Sequence, residues 1–314
     1  MIIPYPQDIR KWQNYPLTWT LGLLNVFIFI LIFSGTTDTF TGQKLLQAES
    51  LRVTGRLYYQ YLNDPEQKSL KESAPTWIQE TQLANDEQME VLGVYALRDK
   101  LFLSVAEQRS FQGDAIRIEA WREDLVSFKK YYFSQILFLF GLSSVEQSPL
   151  AWITYQFSHS GWMHLLSNLI FLLVMGAAVE ALAGSLALIS VYMVGGIFGG
   201  WAFLFMNSHG AVPMVGASAA VSALLAFYAV AERRSRVRYI YFVSPLPHQN
   251  GYIYLPTLLI VPLFLAVDFA SLMATPAGMG SGVAYAAHIG GTIAGMTMGL
   301  LSRISMPKGL LTKP

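Results

Sequence analysis

The chain has 314 residues, with 21 basic, 20 acidic and 5 histidine side chains, a formal net charge of +1, and 53% hydrophobic but only 13% charged residues. A soluble domain carries about 25% charged residues; here 27 of the 41 charges fall between positions 35 and 134, which leaves the remainder too apolar for a water-soluble fold. Near-neutral charge disfavours a nucleic-acid partner, and the absence of cysteine excludes disulfides, thiolate metal sites and a Cys nucleophile.

A hydrocarbon core of about 30 Å takes roughly 20 apolar residues to cross. Six such segments are predicted, at about 18–33, 161–182, 185–206, 213–231, 252–272 and 282–301. The expected fold class is therefore an all-α membrane protein with six transmembrane helices and a polar insertion between the first two. The division runs 1–34 for the N-terminal tail and first span, 35–134 for the insertion, 135–301 for the core, and 302–314 for the C-terminal tail. A cleaved signal peptide at 1–34 is the competing reading. Its apolar core is slightly long, and Ile32-Phe33-Ser34 lacks a small-x-small cleavage pattern.

Within the insertion, residues 90–108 and 114–134 repeat apolar positions at helical intervals, the second stretch through Trp121, Leu125, Phe128 and Tyr132. Residues 64–74, bracketed by Pro65 and Pro75, read as a loop. The insertion carries no catalytic constellation and reads as a cap or partner-docking module.

Outside the insertion the nine Lys and Arg residues sit in the N-terminal tail (Arg10, Lys11), the loop between the fourth and fifth segments (Arg233, Arg234, Arg236, Arg238) and the C-terminal tail (Arg303, Lys308, Lys313). The positive-inside rule then predicts both termini in the cytoplasm and the insertion outside.

Polar side chains inside a span are costly and need a reason. The second segment opens with His159, His164 and Asn168, the last two one helical turn apart. The fourth opens with Gly216-Ala217-Ser218-Ala219, and the sixth with Ala287-His288-Ile289-Gly290-Gly291. These three segments run in the same direction, so their starts share one leaflet. At about 1.5 Å per residue, Ser218, His288, Asn168 and His164 fall within about 5 to 10 Å of it. Gly291, Gly295 and Gly299 form a small-residue stripe that allows close helix approach.

The set suits acyl transfer. A Ser hydroxyl needs a base, which neutral His288 supplies, and an oxyanion needs donors, which His164, Asn168 and the Ser218 N–H supply. Asp268 is expected near the cytoplasmic end of the fifth span, so the prediction is a Ser–His dyad without a carboxylate. Taken singly, each residue has a plainer role. Ser218 would bond its own helix, His164 with Asn168 would join helices, His288 would be structural or a proton relay, and Asp268 would be a satisfied polar contact. His209 and His248 fall in loops and are assigned no role.

At these residues the sequence resembles the rhomboid family of intramembrane serine proteases. His159, His164 and Asn168 meet His-x4-His-x3-Asn, with Gly176 and Glu180 following. Gly216-Ala217-Ser218-Ala219 approximates Gly-x-Ser-Gly, and Ala287, His288, Gly290, Gly291 and Gly295 meet the last-span pattern. The resemblance implies Ser218 as nucleophile, His288 as general base, and an oxyanion site of His164, Asn168 and the Ser218 amide, with no cofactor and no metal. It implies single-span membrane-protein substrates, cut in or near the lipid bilayer at small residues. The chain departs from the pattern at Ala219, where the family mostly has Gly; at Leu150-Ala151, where it has Trp-Arg; and at Ser222, where it often has an aromatic ring. Two other readings are a rhomboid-like binder of membrane clients that does not cleave, and a transporter or proton pathway using His164, His288 and Asp268.

Overall fold

The computed structural model describes residues 2–5, 14–34, 44–83, 85–145, 148–207, 210–232, 236–242, 250–256, 259–274 and 284–305. Arg10, Lys11, His209, Arg233, Arg234, His248, Lys308 and Lys313, and with them most of both tails, lie outside these residues.

The chain begins with strand β1 (Ile2–Tyr5) and helix α1 (Pro16–Ser34). Six helices follow: α2 (Ala48–Leu62), α3 (Lys68–Ser73), α4 (Thr76–Gln79), α5 (Asp86–Ala96), α6 (Lys100–Val105) and α7 (Ala115–Ser134). They pack around their own core, which includes Leu51, Tyr58, Leu92, Phe102, Trp121 and Leu125. The stretch expected to be a loop, 64–74, is instead a 3-10 turn running into α3. Asp64 accepts from the Glu66 amide and Pro65 occupies the first helical position, where its missing N–H costs nothing, so the pair starts a helix there. The helix expected over 90–108 breaks at Leu97–Asp99, because the Asp99 carboxylate caps a new helix by accepting from the Leu101 and Phe102 amides. Trp121, Leu125 and Phe128 do form the buried face of α7.

Short helices α8 (Ile136–Phe140) and α9 (Ala151–Thr154) lead into α10 (Trp162–Ala183), α11 (Ser185–Met206) and α12 (Ser218–Ala231). Strands β2 (Arg236–Phe242) and β3 (Asn250–Pro256) precede α13 (Ile260–Ala274) and α14 (Tyr285–Ser305). The sheet has the order β1-β2-β3 and is antiparallel throughout, with Ile3 opposite Ile240 and Tyr239 opposite Ile253. The first five residues of the expected fifth span, 252–256, are therefore strand. Gly251 and Pro256 flank a Tyr-Ile-Tyr run that favours extended backbone, and α13 starts only at Ile260.

Successive helices of the bundle alternate in direction. Glu180, near the end of α10, accepts from the Leu17 and Thr18 amides, the Thr18 hydroxyl and the Ser185 hydroxyl, tying the starts of α1 and α11 to that end. At the opposite end, Phe29 of α1 meets Trp162 of α10 edge-on at 4.7 Å. A Cβ built on Gly291, Gly295 or Gly299 of α14 would lie 2.1, 2.1 or 2.9 Å from the carbonyl oxygens of Ala219, Ala223 and Phe227. Those matched steps of four set α14 parallel to α12 with the backbones almost touching, as a small-residue stripe permits. Gly195 and Gly199 of α11 meet the methyls of Ala223 and Ala219 in reverse order, so α11 is antiparallel to α12.

Every residue of α12 from Ala219 to Ala231 is buried, which makes it the central helix. Its 14 residues span about 21 Å, against about 33 Å for the 22 residues of α10 or α11. By length and composition α10 and α11 are able to cross a membrane, and α1, α12 and α13 contain shorter apolar helices. Leu23, Phe27, Trp201, Phe205, Leu263 and Phe269 stand exposed on the outer helices, as a lipid-facing surface requires.

Candidate active site

The starts of α10, α12 and α14 meet at one end of the bundle. Between α11 and α12 the chain is pinned before it turns: Leu142 and Met214 exchange backbone hydrogen bonds at 2.9 and 2.8 Å, and the Gly216 amide donates to the Tyr155 carbonyl at 2.8 Å. Tyr155 is itself fixed, its hydroxyl donating to the Gly196 carbonyl of α11 at 2.5 Å. Gly216 has φ of 123°, and a Cβ there would lie 2.8 Å from both Cε1 and Nε2 of His164. Only glycine meets both demands, the backbone angle and the imidazole resting on the turn.

The turn delivers Ser218 as the first residue of α12, half-buried. The sequence expectation had it inside a helix beginning near 213; the pairing of Met214 with Leu142 and the left-handed Gly216 hold that stretch as loop. As a helix-start residue, Ser218 carries one of the amides that helical geometry leaves without an intrahelical acceptor.

His164 is held by Ser160, whose Oγ is 3.1 Å from Nδ1, and its ring meets the buried His159 edge-on at 5.2 Å. The Asn168 side-chain amide donates to the His164 carbonyl at 2.9 Å and lies 3.8 Å from the position a Gly216 Cβ would take. His164, Asn168 and the turn into Ser218 thus converge.

His288 is the fourth residue of α14, one turn before Gly291, which packs on Ala219. It is within electrostatic reach of His164. Its Nε2 is buried and has no hydrogen-bond partner among the described residues. The four expected site residues therefore share one end of the bundle, but the Ser218–His288 hydrogen bond is not made in this structure. Gly290 lets α14 approach α11, a Cβ there meeting the Phe198 carbonyl and the Ala202 methyl at 2.7 Å. Ala219 adds no methyl to the site side: its Cβ faces Gly199 of α11. Ser222 donates to the Ser218 carbonyl at 2.9 Å and bonds its own helix.

Asp268 corrects the sequence expectation. Its Oδ1 lies 3.1 Å from the Nδ1 of His288, with the Asp268 side chain buried and that of His288 part-buried. The fifth apolar segment runs opposite to the sixth, so Asp268, midway along α13, sits beside His288 early in α14. Counting depth along α13 as though it ran with α14 reversed the end at which Asp268 falls. The signal that finds it is the alternation of helix direction.

The description Rhomboid domain matches residues 146–304, just over half of the 314-residue chain. Rhomboid-related protein 2 of Mus musculus is 30% identical over 175 residues, which cover 54% of this chain and 54% of that protein. The chain spans about half the length of that curated relative. A match over residues 146–304 takes in α10 to α14, and with them Ser218, His288, His164 and Asn168, so this chain belongs to the rhomboid family of membrane-integral proteins.

Proposed function

We propose that the protein is an intramembrane serine endopeptidase that hydrolyses peptide bonds of single-span membrane proteins in or near the bilayer, with Ser218 as nucleophile and His288 as general base. The observation that supports this reading is the parallel contact of α12 and α14 at Ala219 and Gly291, one residue after Ser218 and three after His288. Family membership supports the reaction class.

In this reading Nε2 of His288 accepts the Ser218 proton as Oγ bonds to the scissile carbonyl carbon, and the carbonyl π pair moves onto oxygen. His164, Asn168 and the Ser218 N–H stabilise that oxyanion, each donor being worth about 10² to 10³ in turnover. The protonated Nε2 then donates to the leaving amine, and water hydrolyses the acyl-enzyme by the same base. No cofactor or metal takes part in any of these steps. The bundle spans the membrane six times through α1 and α10–α14, with both termini cytoplasmic and α2–α7 outside, in keeping with Arg236, Arg238 and Arg303 lying away from the site end.

The test is cleavage of a single-span substrate by the full chain in liposomes. Ser218→Ala and His288→Ala each abolish cleavage while the protein remains folded, and a fluorophosphonate labels Ser218 only when His288 is present. Full activity in either variant overturns the reading.

A second reading, a rhomboid-like protein that binds membrane clients without cutting them, is favoured by the unmade Ser218–His288 bond. Catalytic hydrogen bonds commonly tighten only once substrate is bound. Client capture by the wild-type chain without any product is the outcome that selects this alternative.

A further inference from the structure

The carboxylate of Asp268 is unaccounted for by a two-residue mechanism. It is 5% exposed, deep in an apolar bundle, with Oδ1 on the Nδ1 of His288 and Oδ2 buried without a hydrogen bond among the described residues. Placing a carboxylate there is costly, and an apolar side chain of similar size would pack the helix pair at least as well.

The geometry points to Asp268 as the positioning residue of a Ser218–His288–Asp268 triad. Resting on the peptidase reading, the proposal deepens it. An imidazole has two nitrogens, and a base that serves Ser218 through Nε2 needs its remaining proton on Nδ1. A carboxylate on Nδ1 selects that tautomer and fixes the ring plane. It also stabilises the imidazolium that forms when the Ser218 proton arrives, without taking the proton itself. The two nitrogens of His288 are divided as this requires, Nδ1 on Asp268 and Nε2 free. Two rings on different elements add to the hold. Phe264, one turn before Asp268 on α13, lies 6.4 Å from the imidazole, and Tyr285 meets it edge-on at 6.1 Å. Ser222, where the family often has an aromatic ring, bonds its own helix and leaves that task to these two.

The experiment compares wild type, Ser218→Ala, Asp268→Asn, Asp268→Glu and Asp268→Ala, all as full chains in liposomes with one single-span substrate. It reads kcat and KM separately, the rate of fluorophosphonate labelling of Ser218, and thermal unfolding. Asp268→Asn, which keeps the shape and loses the charge, is expected to lower kcat and the labelling rate about a hundredfold or more with KM nearly unchanged. Asp268→Glu should recover part of both. If Asp268→Asn or Asp268→Ala lowers the unfolding temperature while kcat per folded molecule and the labelling rate stay at the wild-type level, Asp268 is a packing residue and the triad is overturned. Failure of the wild type to cleave, or cleavage by Ser218→Ala, overturns the peptidase reading instead.

Discussion

The backbone N–H of Ala211 donates to the carbonyl of Arg98 across 2.6 Å, joining the α2–α7 unit to the loop that ends at Ser218. Ala211 is fully buried and belongs to the core of that unit. Around it, Asp99 pairs with Gly210 in a backbone bridge, the Ser144 hydroxyl donates to the Gly210 carbonyl at 2.6 Å, and Lys100 donates to the Ser144 carbonyl at 3.1 Å. The polar helices and the turn into Ser218 are therefore parts of one packed assembly.

Asp99 is the residue on which that joint is most exposed to mutation. Its carboxylate accepts from the Tyr58 hydroxyl at 2.7 Å while capping α6. Asp99→Ala leaves a buried hydroxyl without an acceptor and removes a cap, a loss of about 2–4 kcal/mol. The α2–α7 helices should unfold at lower temperature, the Ala211 amide should exchange faster, and, on the peptidase reading, cleavage should fall although no residue beside Ser218 has changed. Wild-type exchange at Ala211 would show that the joint does not depend on this carboxylate.

The same cluster makes the assembly sensitive to alkali. Burial, and then the Asp99 charge, push the Tyr95 hydroxyl up to about 12 and the Tyr58 hydroxyl higher than its ordinary value. A group whose folded value lies above its unfolded value near 10 adds stability at lower pH and loses it as pH climbs past that point. The α2–α7 helices should hold to about pH 10 and weaken between about 10 and 12. Following tyrosinate absorbance alongside circular dichroism checks this, and Tyr95→Phe should flatten the loss. Titration of every tyrosine near its ordinary value, with helicity unchanged, would contradict it.

Gly216→Ala places a methyl 2.8 Å from the His164 ring and forces a φ of 123° on an L-residue. The strain is about 1–3 kcal/mol, and relieving it moves either the imidazole or the turn into Ser218. On the peptidase reading, in which His164 is an oxyanion donor and loss of one such donor costs about 10² to 10³ in turnover, kcat should drop at least tenfold with a modest fall in melting temperature. Steady-state cleavage and thermal unfolding together provide the check, and an unchanged kcat would place His164 outside the reaction.

Gly291→Ala sets a methyl 2.1 Å from the Ala219 carbonyl oxygen, so α12 and α14 have to part. Overpacking of this kind costs about 1–3 kcal/mol, and here it also moves Ser218 away from His288. Gly161→Ala is the control, since a methyl at that position meets nothing within 4 Å. The first variant should lose both stability and cleavage, and the second neither; equal behaviour would rule out close packing as the link between the two helix starts.

Much of the candidate site is legible in the sequence. His164 and Asn168 lie a turn apart by spacing alone, and the glycine stripe of α14 carries its packing meaning in the sequence. Two features were not legible in the same way. Whether residues 213–217 enter α12 depends on Met214 finding Leu142 more than seventy positions away, which no local pattern encodes. The strand β3 competes with the start of a span, and its pairing with β2 decides the matter against helix.

The sequence by itself determined the helical membrane-type bundle and the chemical identity of Ser218, His288, His164 and Asn168, because apolar run length and residue type are local properties. Tertiary structure alone decided which groups touch. Helix direction set Asp268 against His288, the glycine contacts set α14 on α12, and the loop pinned at Met214 fixed where Ser218 begins its helix. The physical reason is that a hydrogen bond requires contact within about 3 Å, a distance that only packing between segments remote in the chain can specify.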